Sequence, residues 1–249
     1  DHHLRINQTL VLCSIASIYW KQERHDECLR LYEEVVQICR TMKYGRGLSN
    51  GLTAVGNYLL LLDRPSEALS YFLEGTSVFA ELGDFRNEAL SWSIAAGIYQ
   101  RTFHRFHEAL EAWGKARLLR TRIGDRCGES QALYEMGRHA RDHFEDSAQA
   151  RQYFREALDL AVVLGDAHRQ GDLLNAMGIT DWKHRAFEQA LVHYEQALVQ
   201  YREAGDLSET ALMLNSLGVT LRSLRRYDEA LTRLQQAVHA AHQANHRLF

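Results

Sequence analysis

Two arginines near the middle of the chain could together bind a carboxylate. Arg138 and Arg141 are three residues apart, so in a helix their side chains share one face. A guanidinium group offers a planar fork of N–H donors that fits a carboxylate. The pair therefore indicates a surface for an acidic peptide or a chain carboxyl terminus. The alternative is that both arginines are solvated and only keep the surface soluble.

Histidines at helical spacing raise a second possibility, a metal site. His139 and His143 are four residues apart, and His239, His242 and His246 follow an i, i+3, i+7 pattern. Imidazoles on one helix face can bind a metal ion, but neither set has an acidic or thiolate ligand in line, and His143 falls near a turn. We therefore expect no metal and no cofactor, and we interpret these histidines as exposed or as lying at the core edge.

Signatures of enzymes are absent from the sequence. It contains no GxxxxGK[ST], GxSxG, HExxH or GxGxxG motif. The adjacent acids Glu33-Glu34 and Glu145-Asp146 are typical of a solvated helix surface. We expect that the chain is not an enzyme.

Composition and charge exclude other classes of function. The 249 residues are 46% hydrophobic and 24% charged with a net charge of -3, which is typical of a globular protein. A sequence pI near 6.5 argues against binding nucleic acid, which needs a positive surface. The longest apolar run, near Tyr58–Leu62, is far shorter than the roughly 20 residues that span a bilayer. We therefore expect neither nucleic acid nor membrane among the partners.

The cysteines and arginines bear on cellular context. Four irregularly spaced cysteines are too few for a disulfide framework or a CxxC metal site, and we interpret them as reduced, mostly small core residues. This favours a cytoplasmic protein. Among the 29 basic residues, arginine outnumbers lysine 25 to 4, which favours a GC-rich, bacterial genome.

The elements that must position these side chains follow from an internal repeat. A small residue recurs at intervals of 40 or 41, at Cys28, Ala68, Ala109, Ala150, Ala190 and Ala230. A large residue follows four positions later, at Tyr32, Phe72, Trp113, Phe154, Tyr194 and Leu234. Another small residue stands about twelve positions upstream, at Ala16, Gly56, Ala96, Gly137, Gly178 and Gly218. Each unit is therefore predicted to be a pair of helices that cross at small residues, with the large residue filling the gap to the next pair.

Turn signals separate the later units. Gly-Asp recurs at Gly83-Asp84, Gly124-Asp125, Gly165-Asp166 and Gly205-Asp206. Glycine can end one helix in the left-handed conformation, and aspartate can cap the start of the next. Asp206 and Glu209 have the spacing of a capping box.

These motifs resemble those of the tetratricopeptide repeat family, in a form longer than the family's 34-residue pattern. The residues that carry the resemblance are Gly137, Ala150, Phe154 and Ala157; Gly178, Ala190, Tyr194 and Ala197; and Gly218 with Tyr227-Asp228-Glu229-Ala230-Leu231. Gly-Asp stands where the family usually has a proline. The resemblance implies an all-α, right-handed superhelical solenoid of about six antiparallel helix pairs. We expect one such solenoid over 1–249, with repeats near 6–43, 46–83, 84–124, 125–165, 166–205 and 206–245.

The resemblance also implies where a partner would bind. In this family the first helices of the repeats line a concave face, and certain positions around the small residue of each first helix point into it. Carried over to this sequence, the expected partner-binding residues are Asn57, Arg138, Arg141, Asn175, Trp182, Lys183, Asn215 and Arg222.

The ends of the sequence suggest a fragment of a longer protein. There is no initiator methionine and no signal layout, and no polar terminal cap is evident. Asn245 aligns with the glycines between repeats, and His246-Arg247-Leu248-Phe249 is similar to the start of another first helix.

Three functions remain open. The first is a non-catalytic scaffold that binds a protein or peptide segment on its concave face, with an acidic segment as the preferred ligand. The second is a ligand- or peptide-sensing regulatory domain of a larger bacterial signalling or transcription-regulating protein. The third is a structural spacer that self-associates through uncapped ends.

Overall fold

A computed structural model describes residues 2–246, and in that part of the chain every regular element is an α-helix. The helices are α1 His2–Lys21, α2 His25–Thr41, α3 Gly45–Leu61, α4 Pro65–Leu82, α5 Phe85–Arg101, α6 Phe106–Arg122, α7 Arg126–Asp142, α8 Ser147–Leu164, α9 Ala167–Lys183, α10 Phe187–Glu203, α11 Leu207–Ser223 and α12 Tyr227–His246. The prediction of an all-α array of six helix pairs is confirmed. No helix in the described range is long and apolar enough to cross a membrane.

The chain divides into two compact units, Asp1–Gly124 and Asp125–Phe249. In unit 1, α1 packs on α2, α3 on α4 and α5 on α6, and the pairs join through α2 with α3 and α4 with α5. In unit 2 the pairs are α7 with α8, α9 with α10 and α11 with α12, joined through α8 with α9 and α10 with α11. Each unit buries its own apolar side chains. The single solenoid over the whole chain stays a prediction.

The Gly-Asp turns form as the sequence predicts. Gly165 has a φ of 66° and ends α8 in the left-handed conformation, and the carboxylate of Asp166 accepts a hydrogen bond from the Arg169 amide at the start of α9. Asp206 accepts in the same way from the Glu209 amide. These turns fix where each pair ends and the next begins.

The large residue of the repeat has a second contact that the sequence did not predict. It also packs against the small residue of its own pair, while Tyr32 does reach the next pair, where its ring stacks on Tyr58 with centroids 4.9 Å apart. A Cβ on Gly137 would lie 2.6 Å from the ring of Phe154, and a Cβ on Gly178 would lie 2.5 Å from the ring of Tyr194. The ring crosses directly over the glycine because only a bare backbone leaves room for it.

The turn expected at Asn245 does not occur, because α12 continues through His246. No left-handed glycine or capping aspartate stands there to end the helix. The expectation that a further first helix begins over 246–249 lies largely outside the described residues.

Candidate partner-binding face

The predicted site residues are distributed over both units, all on first helices of their pairs. In unit 1, Asn57 is exposed on α3. In unit 2 the others lie on three helices: Arg138 and Arg141 on α7; Asn175, Trp182 and Lys183 on α9; Asn215 and Arg222 on α11. We call the surface formed by these unit 2 residues the first-helix face.

Arg141 is held inside the protein. Its side chain is only 9% exposed, and its Nε and Nη2 donate to Asp142 at 2.8 and 2.7 Å. Nη1 lies 3.4 Å from the carbonyl oxygen of Ala176, and the guanidinium sits near the Phe154 ring. Arg141 of α7 therefore contacts both α8, through Phe154, and α9, through Ala176. A carboxylate of a partner would have to displace Asp142 to reach its guanidinium group.

Asp142 connects α7 to α9. Lys183 Nζ donates to its carboxylate at 2.6 Å, on the oxygen that Arg141 Nε also contacts. Burial alone would raise the pKa of Asp142, but the hydrogen bonds and charges of Arg141 and Lys183 outweigh it and hold the pKa well below its ordinary value. The structure thus brings two predicted site residues together around a carboxylate that the sequence did not single out.

Arg138 is more accessible than Arg141. Its side chain is 40% exposed, and Nη1 donates to Glu135 at 3.3 Å. The charge of Arg138 is therefore partly neutralised from within its own helix. Arg138 and Arg141 do not form the joint carboxylate fork that their spacing suggested, because each has an acidic neighbour on α7.

Arg169 is a cation of the same face that sequence reasoning missed. Its guanidinium lies 4.8 Å from the centre of the Tyr134 ring and donates to the side-chain oxygen of Gln131. It also lies 3.7 Å from Asp172. The i, i+3 spacing of Arg169 and Asp172 was a visible signal, but their meeting with α7 depends on how the helices pack.

Three polar side chains of the first-helix face, Asn175, Asn215 and Arg222, have no hydrogen-bond partner or ion-pair partner within the described residues. Asn175 and Asn215 occupy equivalent positions 40 residues apart, since each precedes the small residue of its helix by three. Asn175 is half-buried, whereas Asn215 and Arg222 are exposed.

Trp182 lies at the end of α9. The indole is 40% exposed and meets Phe187 edge to face, with ring centroids 6.2 Å apart. Trp182 precedes Lys183 in sequence, but the only ring contact that the structure gives it within the described residues is Phe187.

A second missed feature is a buried charge cluster. Asp181 is 3% exposed; Arg151 Nε on α8 donates to it at 2.9 Å, and His193 Nδ1 on α10 lies 2.8 Å from its other oxygen. The repeat carried a signal, because leucine takes the place of Arg151 in all the other repeats, at Leu29, Leu69, Leu110, Leu191 and Leu231. We call this set the Asp181 cluster.

His139 lies on α7 and His143 directly follows the last residue of that helix. His139 is 1% exposed, and its ring lies 5.3 Å from that of His143. Burial, followed by the positive charges of His143 and Arg138, lowers the pKa of His139 to about 4. Among residues 2–246, no group of three or more His, Cys, Asp or Glu is placed to hold a metal ion, and the side chain of His246 is outside that description.

Comparison with known proteins identifies the repeat. The family model described as tetratricopeptide repeat matches residues 6–81 and 169–241. No curated protein matches the chain in sequence.

Solved structures share the fold at low sequence identity. BtubC (BKLC) from P. vanneervenii is 18% identical with a TM-score of 0.71, over 87% of this chain and 91% of that protein. The apo form of RapI is 9% identical with a TM-score of 0.63, over 96% and 99%. A signal-transduction ATPase with a tetratricopeptide repeat sensor from Pyrococcus horikoshii is 14% identical with a TM-score of 0.60, over 99% of this chain but 43% of the ATPase.

Proposed function

Since the chain belongs to the tetratricopeptide repeat family, we propose that it is a non-catalytic scaffold whose first-helix face binds an extended segment of a partner protein. Proteins of this family generally bind proteins or peptides and generally lack catalytic activity. The observation that carries the proposal is the pair Asn175 and Asn215, with Arg222 on the same helix as Asn215. A carboxamide both donates and accepts hydrogen bonds, so two of them at repeat spacing suit the backbone of an extended chain.

The charges of this face favour a partner with at least one carboxylate. Arg222 is exposed and has no acidic partner in the described part of the chain. Arg138, in contrast, forms an ion pair with Glu135, and Lys183 forms one with Asp142. We therefore assign the carboxylate contact first to Arg222. We assign Lys183, Arg138 and Trp182 as further contacts of the partner on α7 and α9, and Arg141 as a support of the face from within. Asn57 would serve the equivalent face of unit 1.

Direct binding measurements with an array of extended peptides, acidic and charge-neutralised, test this proposal. We expect acidic peptides to bind the wild type, and the Asn175→Ala, Asn215→Ala, Arg222→Glu triple variant to lose about tenfold or more in affinity. Arg155→Glu is the matched control, because Arg155 is exposed on the second helix α8. Equal affinity of the triple variant and the wild type, at equal helicity, would remove this site.

A second candidate function is a sensing domain within a larger signalling protein. It is supported by the similar fold of the P. horikoshii ATPase, whose tetratricopeptide repeats are described as a sensor. A sensor would bind a free peptide ligand and pass the change to an attached domain. Both functions predict that a bound peptide raises the melting temperature, so the discriminating measurement is a change of conformation. A sensor predicts that the peptide changes the radius of gyration in small-angle X-ray scattering with no protein partner present, and peptide binding with an unchanged radius of gyration favours the scaffold.

A further inference from the structure

A cavity of about 340 Å³ lies in unit 1, between α1, α2 and α3. Cys13 of α1, Tyr32 and Cys39 of α2, and Gly47 and Gly51 of α3 line it. The exposed side chains of Leu10 and Asn50 also border it, so the cavity opens to solvent beside them. Its volume is within the range of about 300 to 1,000 Å³ that holds small molecules in proteins.

The small Cys39 side chain leaves room for this cavity. Gly47 and Gly51 instead allow close packing, because a Cβ at Gly47 would clash with the Tyr44 ring and a Cβ at Gly51 would lie 2.9 Å from Val36. The next pair of unit 1 provides the comparison. The position of Cys39 on α2 is taken by the larger Phe79 on α4, which is 4% exposed. The positions of Gly47 and Gly51 are taken by Asn87 and Ser91 on α5.

The lining favours a neutral, mainly apolar occupant. None of the described residues that border the cavity is charged, so a charged ligand would lose its hydration without gaining a counter-charge. Burial raises the pKa of the Cys13 thiol and of the Cys39 thiol, which keeps both uncharged at neutral pH.

Few of the polar groups there are available to a ligand. The Thr9 hydroxyl donates to the carbonyl of Ile6, and the Tyr32 hydroxyl lies 3.4 Å from that of Tyr58. The side-chain carboxamide of Asn50 has no hydrogen bond to another residue within the described range. A ligand would thus place its apolar body against the thiols and tyrosines and one polar group toward Asn50.

We propose that this cavity binds a free, neutral small molecule with an apolar ring and a single hydrogen-bonding group. The inference concerns unit 1 and does not rest on the proposed partner binding by unit 2. A negative result at either site leaves the other result interpretable, because the two sets of variants share no residue.

Indole is a suitable probe, because it is neutral, ring-shaped and carries one N–H. We expect saturable binding of indole by calorimetry and much weaker binding of the anion indole-3-acetate, which has the same ring. A second measurement leaves the cavity residues unchanged and follows the alkylation of Cys13. It uses the Cys127→Ser protein, because Cys127 is the exposed thiol that would otherwise react first. There, saturating indole should slow alkylation of the half-buried Cys13 by N-ethylmaleimide.

A cavity-filling variant locates the site. Cys13→Phe places a ring in the cavity and should weaken indole binding about tenfold or more. Thr53→Phe is the matched control, since Thr53 holds the equivalent position on α3 and does not line the cavity. We expect this control to bind indole like the wild type.

Three outcomes would overturn the proposal. The first is no saturable indole binding together with unchanged Cys13 alkylation. The second is equal binding of indole and indole-3-acetate, or equal loss in Cys13→Phe and Thr53→Phe. The third is tighter binding of N-acetyltryptophanamide than of indole, which would assign the cavity to a side chain of a partner instead of a free molecule.

Discussion

At the scale of single residues, the Asp181 cluster shows how a repeat tolerates a buried charge. Where the fifth repeat has Asp181, the other repeats have Tyr19, Leu59, Tyr99, Ala140 and Leu221. A carboxylate that is 3% exposed is stable only if its partners compensate for the lost hydration. Arg151 and His193 come from helices on either side of α9, so the cluster ties three helices together.

Removing Arg151 alone should therefore lower the free energy of unfolding more than removing Arg151 and Asp181 together. We expect Arg151→Leu to lower the free energy of unfolding by about 3 kcal/mol, because Asp181 keeps only His193. Arg151→Leu with Asp181→Leu restores apolar residues of the kind found elsewhere in the repeats and should recover much of the loss. Urea denaturation of both variants measures this. A double variant less stable than the single one would contradict the account.

We expect His139 to make the free energy of unfolding depend on pH. Its folded pKa is about 4, against about 6.5 in an unfolded chain. Between these values the unfolded state binds the proton more readily, so the free energy of unfolding falls as pH drops from about 6.5 to about 4, by up to about 3 kcal/mol.

The matched replacement is His139→Thr, because Thr180 and Thr220 are buried at the equivalent positions of α9 and α11. We expect this variant to lose most of the pH dependence in that window while Asp142, whose pKa is depressed, still reduces stability at lower pH in both proteins. Parallel stability curves for wild type and variant between pH 6.5 and 4 would show that His139 is not the cause.

At the scale of elements, the turns inside the helix pairs carry a repeated backbone feature. A residue other than glycine takes a positive φ in each, at Glu23, Asp63, His104, Glu145, Arg185 and Arg225. A side chain in this conformation brings Cβ close to the backbone and costs about 1 kcal/mol or more. The pairs keep these turns because packing of the two helices fixes the connection.

Glycine at such a turn should therefore be stabilising. Arg225 has a φ of 62° and an exposed side chain, and we expect Arg225→Gly to raise the free energy of unfolding by about 0.5 kcal/mol. Arg155→Gly, in the middle of α8, should instead lower it by about 1 kcal/mol. Denaturation of both variants tests the difference, and a loss of stability at Arg225 would mean that its side chain contributes more than the strain costs.

At the scale of the whole molecule, the chain consists of two units with separate cores. The buried cluster of unit 1 extends from Ala16 to Ile98, and those of unit 2 extend from Leu133 to Met177 and from Leu174 to Ala240. Repeats of this kind gain most of their stability from nearest neighbours.

Each unit should therefore fold when expressed alone. We expect fragments 1–124 and 125–249 to show helical circular dichroism and cooperative melting. A fragment without helical signal, while its counterpart folds, would show that the boundary at Gly124 does not separate two self-sufficient cores.

The sequence by itself determined the helices, their pairing and their turns. Helical periodicity and the Gly-Asp pairs act over a few residues, so local steric and capping effects place the helices and turns correctly. The small residue that recurs every 40 or 41 positions indicates which helices pair. The resemblance to the family implied Asn175, Asn215 and Arg222 as positions for partner binding on first helices.

Tertiary structure alone decided how the charged side chains are used. Asp142 meets Lys183 across 41 positions, and Asp181 meets Arg151 across 30; both contacts depend on the distance between packed helices, which spacing along one helix does not give. The cavity beside Cys39 likewise results from the fit of three helices. Spacing along α7 suggested that Arg138 and Arg141 act together, but packing gave Arg141 an internal role because Asp142, Lys183 and the Ala176 carbonyl surround it.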